Sequence, residues 1–309
     1  METVTVEIQK SPRETQPLSI PKMALRDKIG AYAALTKPRI ALMLVLTAAA
    51  GFYLGTTGRF EWILFANSLV GIALLAFGVA TLNQVIERET DVLMQRTAKR
   101  PLPTGKLSKT QALVFGILLC LAAEIYLAVL VNHLTAILGL VVIVGYVLLY
   151  TPLKTRTSLS TVIGAFPGAM PPLMGWTAAA GEITVPAWIL FTILFFWQFP
   201  HFLAIAWMYR HEYAKAGILM LPVVEPAGRL TAQQIVVFTL ILVPFSLAPF
   251  FIGLDGWIYL AGAAVLGAWF IWESIKFART KTDAQAKKLL RVSVIYLPLL
   301  FLLAVLNKH

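Results

Sequence analysis

NQVIERETDVLMQRTAKRPLPTG, residues 83–105, follows directly on a long apolar run from Trp62 to Leu82. If the helix of the apolar run continues, Asn83, Glu87 and Asp91 recur every fourth residue and share one face. Each step rises about 6 Å, so their oxygens line a strip of roughly 12 Å. Such a strip is too long for one metal ion. It suits two ions, or one ion and its waters, along an extended anion such as a diphosphate. Basic residues follow at once: Arg96, Lys99, Arg100 and Lys106. Pro101 and Pro103 cannot continue a helix, so this half is expected to be a loop folding back over the first. Carboxylates beside a basic loop at a membrane edge fit a Mg²⁺–diphosphate site.

The membrane edge follows from composition. Of 309 residues, 59% are hydrophobic and only 13% charged, where a soluble domain would carry about 25% charged residues. Nine apolar runs reach spanning length, at about 39–57, 62–86, 111–131, 134–151, 158–179, 186–208, 232–253, 256–274 and 290–306. The expected fold is all-α, a polytopic bundle of about nine transmembrane helices. With nine spans, the segments on the N-terminal side hold 24 of the 26 Lys and Arg residues, leaving only Arg59 and Lys308 opposite. That asymmetry is the positive-inside pattern and places the N-terminus in the cytoplasm and the C-terminus outside. The net charge of +11 is therefore a topology signal; no nucleic-acid partner is implied, because the cations sit in short loops. Cys120 is the only cysteine, which excludes disulfides and Cys-ligated metal centres. Residues 1–38 lack an apolar core, so no signal peptide is expected, and Glu2, Glu7, Glu14 and Asp27 argue against a transit peptide.

Residues 1–30 read as a flexible cytoplasmic tail and residues 31–309 as a single transmembrane domain. TAAAG occurs twice, at Thr47–Gly51 and Thr177–Gly181, and hints at an internal repeat. The offset directs attention to WQFPHFLAIAWMYRHEYAKAG, Trp197–Gly217. If that helix holds, His201 and Glu212 are about three turns apart on one face, with Gln198 a turn from His201. Tyr150–Arg156, YTPLKTR, adds Lys154 and Arg156. Pro167, Pro171 and Pro172 must interrupt the fifth span, which membranes tolerate only where protein or a cavity surrounds the break.

Each feature has an ordinary explanation. Charges at span ends are cheap, and Lys154 and Arg156 satisfy the positive-inside pattern without further role. The threefold period joined to a proline-bounded basic loop is what favours a site. His201 lies some 12 Å inside the membrane edge, where an ionisable group is a functional candidate and a neutral, hydrogen-bonded histidine is the competing reading.

TKPRI at 36–40, residues 83–105, YTPLKTRT at 150–157, IGAFPGAMPPLMGW at 163–176, WQFPHFLAIA at 197–206 and EYAKAGILMLPVV at 212–224 together carry a resemblance. From about Thr36 onward the chain resembles the UbiA-type intramembrane prenyltransferase superfamily. Within it, the Asn-x3-Glu-x3-Asp form followed by RTAKRPL is similar to the protohaem IX farnesyltransferase (haem O synthase) branch. The family usually carries Asp before the Tyr of its second motif; here Glu212 keeps the carboxylate on a longer arm. The resemblance implies a helical bundle around a central chamber in a bacterial inner membrane. It implies Mg²⁺-dependent transfer of farnesyl from farnesyl diphosphate to the 2-vinyl group of haem B, with a haem A synthase receiving the product. Asn83, Glu87 and Asp91 would then hold metal, with Glu212 completing the catalytic set. Arg96, Lys99, Arg100, Lys154 and Arg156 would bind diphosphate, and His201 with Gln198 would position haem. Prenylation of a quinone precursor is the rival enzyme, disfavoured by the haem-type motif. A secondary transporter is the rival from another class, but it would place its polar site near the midplane.

Overall fold

Spans must be helical because in lipid each segment has to satisfy its own backbone N–H and C=O groups. The computed structural model describes residues 24–309. The tail expected over 1–30 lies outside the described residues as far as residue 23, and its last residues already belong to α1, Leu25–Leu35. Eight helical stretches among the described residues are long and apolar enough to cross a membrane. They are α2 (Pro38–Gly55), α3 (Trp62–Val92), α4 (Lys109–Leu130), α9 (Val185–Met208), α12 (Arg229–Phe251), α13 (Trp257–Thr280) and α14 (Asp283–Asn307). The eighth begins as α5 (His133–Ile143), passes through a π-helical segment (Val144–Tyr150) and ends as α6 (Thr151–Leu153). Short helices α10 (Arg210–Lys215) and α11 (Leu221–Val224) lie between α9 and α12.

The remaining expected span, the fifth at 158–179, is present in two pieces, α7 (Ser160–Gly168) and α8 (Met170–Ala180). Pro167 lies inside α7, and Pro171 and Pro172 open α8, so the backbone ladder breaks between them. Gln198 of α9 staples the break: its Nε2 donates to Ala165 O at 2.9 Å and to Leu194 O at 3.3 Å.

Lipid offers no hydrophobic drive between helices, so close backbone approach decides the packing. The two TAAAG stretches lie on helices that pack directly together, α2 and α8. A Cβ on Gly51 would stand 2.1 Å from Pro172 O, and one on Gly175 would stand 1.9 Å from Ala48 O. Around this pair α3 packs along α4, while α9, α12, α13 and α14 form the other half of the bundle.

The end of the bundle that carries Arg59 is closed by the last residues of the chain. Lys308 Nζ donates to Tyr53 O (2.8 Å) and Thr56 O (2.6 Å), capping α2, and His309 N donates to Leu254 O (3.0 Å). Beside them both carboxylate oxygens of Asp255 are buried without a hydrogen-bond partner among the described residues. Burial pushes this carboxyl up to about 7, against the pull of Lys308. A raised carboxyl pKa favours the fold while the group is protonated, and that stability is lost as pH rises from about 4 to about 7. Asp255→Asn should therefore raise the thermal midpoint more at pH 8 than at pH 5. An equal shift at both would contradict a buried ionisable carboxyl.

Candidate active site

α3 runs unbroken to Val92, as the period-four reading requires, so Asn83, Glu87 and Asp91 stand on one face. Each meets a cation from a different segment. Lys37 Nζ donates to Asn83 Oδ1 at 2.9 Å. Lys154 Nζ donates to Glu87 Oε1 at 2.5 Å. Arg100 Nη1 reaches both Asp91 oxygens, at 2.8 and 2.6 Å. Asn83 and Asp91 are each 1% exposed, so these groups are held by partners and not by water.

The loop after α3 folds back as its prolines require. Thr97 Oγ1 donates to Asp91 O at 2.8 Å, Arg100 N to Thr97 O at 3.0 Å and Lys106 N to Pro101 O at 2.9 Å. These turns aim Arg100 at Asp91.

Lys154 is delivered by the π-helical segment, where Thr151 N bonds Tyr146 O five residues back. Thr151 Oγ1 donates to the same oxygen at 2.7 Å and accepts from Asn83 Nδ2 at 3.1 Å. Lys154 Nζ lies 4.3 Å from the centre of the Tyr150 ring. Burial alone would lower the pKa of this ammonium, but the Glu87 carboxylate outweighs it and holds the group well above the usual lysine value.

Lys37 is the residue that sequence reasoning passed over, though it lies in TKPRI. Pro38 disfavours right-handed helical backbone at Lys37, which adopts the left-handed region at φ 48°, ψ 58°. That is a strained conformation for a side chain with a Cβ. Burial pushes its ammonium down to about 8, helped by the like charges of Arg100 and Lys154 and opposed by Glu87. A lysine held before proline at the entry to the first span was the available signal.

The second motif arrives by a different route from the one expected. The helix does not hold from His201 to Glu212: α9 ends at Met208, and Tyr209 leaves helical geometry at φ −107°, ψ 17°. Arg210 Nη1 takes Trp207 O at 2.6 Å and Asp283 Oδ1 at 2.6 Å, which holds the break. Glu212 thereby turns to the α3 loop, where its carboxylate accepts from Arg96 N at 3.3 Å. Arg96 Nη2 donates to Tyr213 Oη at 3.0 Å, and its guanidinium lies 4.8 and 5.5 Å from the Tyr209 and Tyr213 ring centres. Leu219 N also bonds Lys154 O at 2.8 Å. The two distant helix ends thus meet at one end of the bundle. Lys99, Lys106 and Arg156 are exposed there, and their side chains make no hydrogen bond or ion pair among the described residues.

His201 and Gln198 part company. Gln198 is buried and its amide is spent on the α7–α8 break. His201 stays half-buried, with Nδ1 2.9 Å from Ser293 Oγ and its ring stacked on Trp197 at 4.5 Å and 23°.

The oxygen donors of α3 suit Mg²⁺, a hard cation that takes carboxylates and keeps waters. Ammonium and guanidinium groups already stand against these oxygens, so the strip favours positive charge. Among the described residues no three His, Cys, Asp or Glu side chains form a ready cage. The ion would therefore be shared between one or two carboxylates, water and substrate phosphate, which is the usual Mg²⁺ arrangement.

A profile of the UbiA prenyltransferase family matches residues 44–303. The chain is 46% identical over 286 residues to the protoheme IX farnesyltransferase of Solibacter usitatus (strain Ellin6076), covering 90% of this chain and 98% of that one. It is 44% identical over 305 residues to the enzyme of the same name from Koribacter versatilis (strain Ellin345), covering 95% and 98%. Among solved structures, a digeranylgeranylglyceryl phosphate synthase superposes with a TM-score of 0.77 at 16% identity, covering 91% of this chain and 98% of that one. A UbiA homologue from Archaeoglobus fulgidus bound to GPP and Mg²⁺ gives 0.64 at 18% identity, covering 89% and 99%.

Proposed function

The chain belongs to the UbiA prenyltransferase family, and we propose that it moves the farnesyl group of farnesyl diphosphate onto the 2-vinyl group of haem B, giving haem O. The observation that carries this reading is the ladder of three oxygen-bearing side chains on α3, each matched to a cation from another segment. The names of the relatives at 44–46% identity support the haem acceptor.

Asn83, Glu87 and Asp91 would hold Mg²⁺, which when bound neutralises charge on the diphosphate. Arg100, Lys154 and Lys37 are placed to move from these oxygens onto the diphosphate as it binds, with Arg96, Lys99 and Arg156 at the rim. Their charge stabilises the leaving group as the bond from farnesyl C1 to oxygen breaks and the electron pair goes to diphosphate. Glu212 holds the Arg96 loop closed over α3 and completes the catalytic set. The terminal vinyl carbon attacks C1, water adds at the neighbouring carbon, and a proton is released. Water must enter after that attack, because earlier entry would quench the allylic cation. The apolar helices exclude it, and His201 holds the acceptor porphyrin by its iron.

The protein is a multi-pass membrane enzyme. The cationic end faces the cytoplasm of a bacterial inner membrane on this reading, and a haem A synthase takes up the product. Its densest polar clusters lie at one end of the bundle, where a transporter would set them near the midplane.

Purified protein in lipid, given haem B, farnesyl diphosphate and Mg²⁺, should yield a haem heavier by one farnesyl and one hydroxyl group. Mass spectrometry that finds no such product, with the protein folded and Mg²⁺ present, would overturn the assignment.

A further inference from the structure

We propose that Ser293 is a positioning residue that fixes His201 as its Nδ1–H tautomer and so presents Nε2 as an axial ligand to the iron of the porphyrin acceptor. This rests on the haem reading above.

A serine hydroxyl has one proton to give. Ser293 Oγ gives it to Leu290 O, 2.7 Å away on the same helix. With that proton on Leu290 O, the oxygen accepts from His201 Nδ1, 2.9 Å away. This assigns the hydrogen to Nδ1. An imidazolium at this depth, with no carboxylate bonded to it, is costly, so the ring is neutral and Nε2 keeps its lone pair. That pattern, one ring nitrogen donating to a fixed oxygen and the other free to ligate, is how proteins prepare imidazole for a metal.

Two further contacts fix the ring. Trp197, one turn earlier on α9, donates its indole N–H to Ser293 O at 2.8 Å. Its face lies on the imidazole at 4.5 Å and 23°. Ser293 is 0% exposed, so this α9–α14 junction is rigid and dry. Nε2 has no hydrogen-bond partner among the described residues, and the ring is only half-buried.

The test is titration of ferric haem B into the full-length protein in detergent, read by the Soret and visible bands and by affinity, with metal-free protoporphyrin IX as a parallel probe. Wild type should give a histidine-ligated spectrum, and His201→Ala should lose it. Ser293→Ala should weaken haem affinity by about 10–100-fold, the usual effect of removing a partner behind a metal-ligating histidine. It should bind metal-free protoporphyrin IX as wild type does. If His201→Ala leaves the haem spectrum unchanged, the iron-ligand reading itself falls. If His201→Ala loses ligation and Ser293→Ala keeps wild-type spectrum and affinity, the positioning role falls while the ligand stands. Equal loss of haem and metal-free porphyrin in Ser293→Ala would make Ser293 a packing residue and also overturn the proposal.

Discussion

Asp91→Asn should lower farnesyl transfer by about 10²–10³-fold, the effect of removing one preorganised electrostatic group from a site where charge develops. Asparagine keeps the shape and one oxygen but removes the charge that opposes Arg100 and would face the metal. In the resting protein Arg100 grips both oxygens of Asp91. The substitution therefore leaves a guanidinium beside a neutral amide. The Arg100 side chain is 26% exposed, so water reaches it and the fold should survive. Folded, monodisperse protein by size-exclusion chromatography, with turnover near background, is the expected pair of readings. Adding Arg100→Gln should not restore activity, because the same arginine serves the diphosphate. Turnover within a few-fold of wild type in Asp91→Asn would remove this carboxylate from the reaction.

Gly175→Val should have the largest effect on folding, for a reason unrelated to chemistry. Even the Cβ would lie 1.9 Å from Ala48 O and 2.7 Å from Ala48 C, atoms of the α2 backbone that cannot rotate aside. Gly51 makes the reciprocal approach to Pro172. α2 and α8 would have to separate, and α2 begins directly after Lys37. Overpacking a close-packed interior costs about 1–3 kcal/mol, and more when backbone must move. The yield of folded protein should fall about tenfold or further, measured as the monodisperse fraction after extraction. A wild-type yield and midpoint would contradict so close an approach.

Much of the fold could be read in advance because a bilayer leaves few choices. Apolar runs of spanning length become helices, and the Lys and Arg distribution sorts their ends. The extension of α3 to Val92 was visible in the period of Asn83, Glu87 and Asp91, and the return loop in Pro101 and Pro103. What stayed hidden depends on contacts between segments remote in sequence. Nothing local shows that Lys37 crosses 46 residues to reach Asn83. The π-helical register ahead of Lys154 follows from Thr151 bonding back to Tyr146, a choice that periodicity cannot register. The same limit explains Glu212. Helical spacing paired it with His201, whereas Arg210 breaks the helix by taking Trp207 O and Asp283, and Glu212 turns to the Arg96 loop instead. Gln198, paired with His201 by spacing, is drawn off to Ala165 O beside the α7–α8 break.

The central claim is that the α3 face and the cations gathered against it hold one metal-bound diphosphate. Its most direct test is an experimental structure with Mn²⁺ in place of Mg²⁺ and farnesyl thiodiphosphate in place of substrate, with manganese located by anomalous scattering. Manganese is expected against Glu87 or Asp91, with Arg100 and Lys154 moved from the carboxylates to the phosphates. Manganese and diphosphate bound elsewhere, with Lys154 still on Glu87 and Arg100 still on Asp91, would contradict that claim.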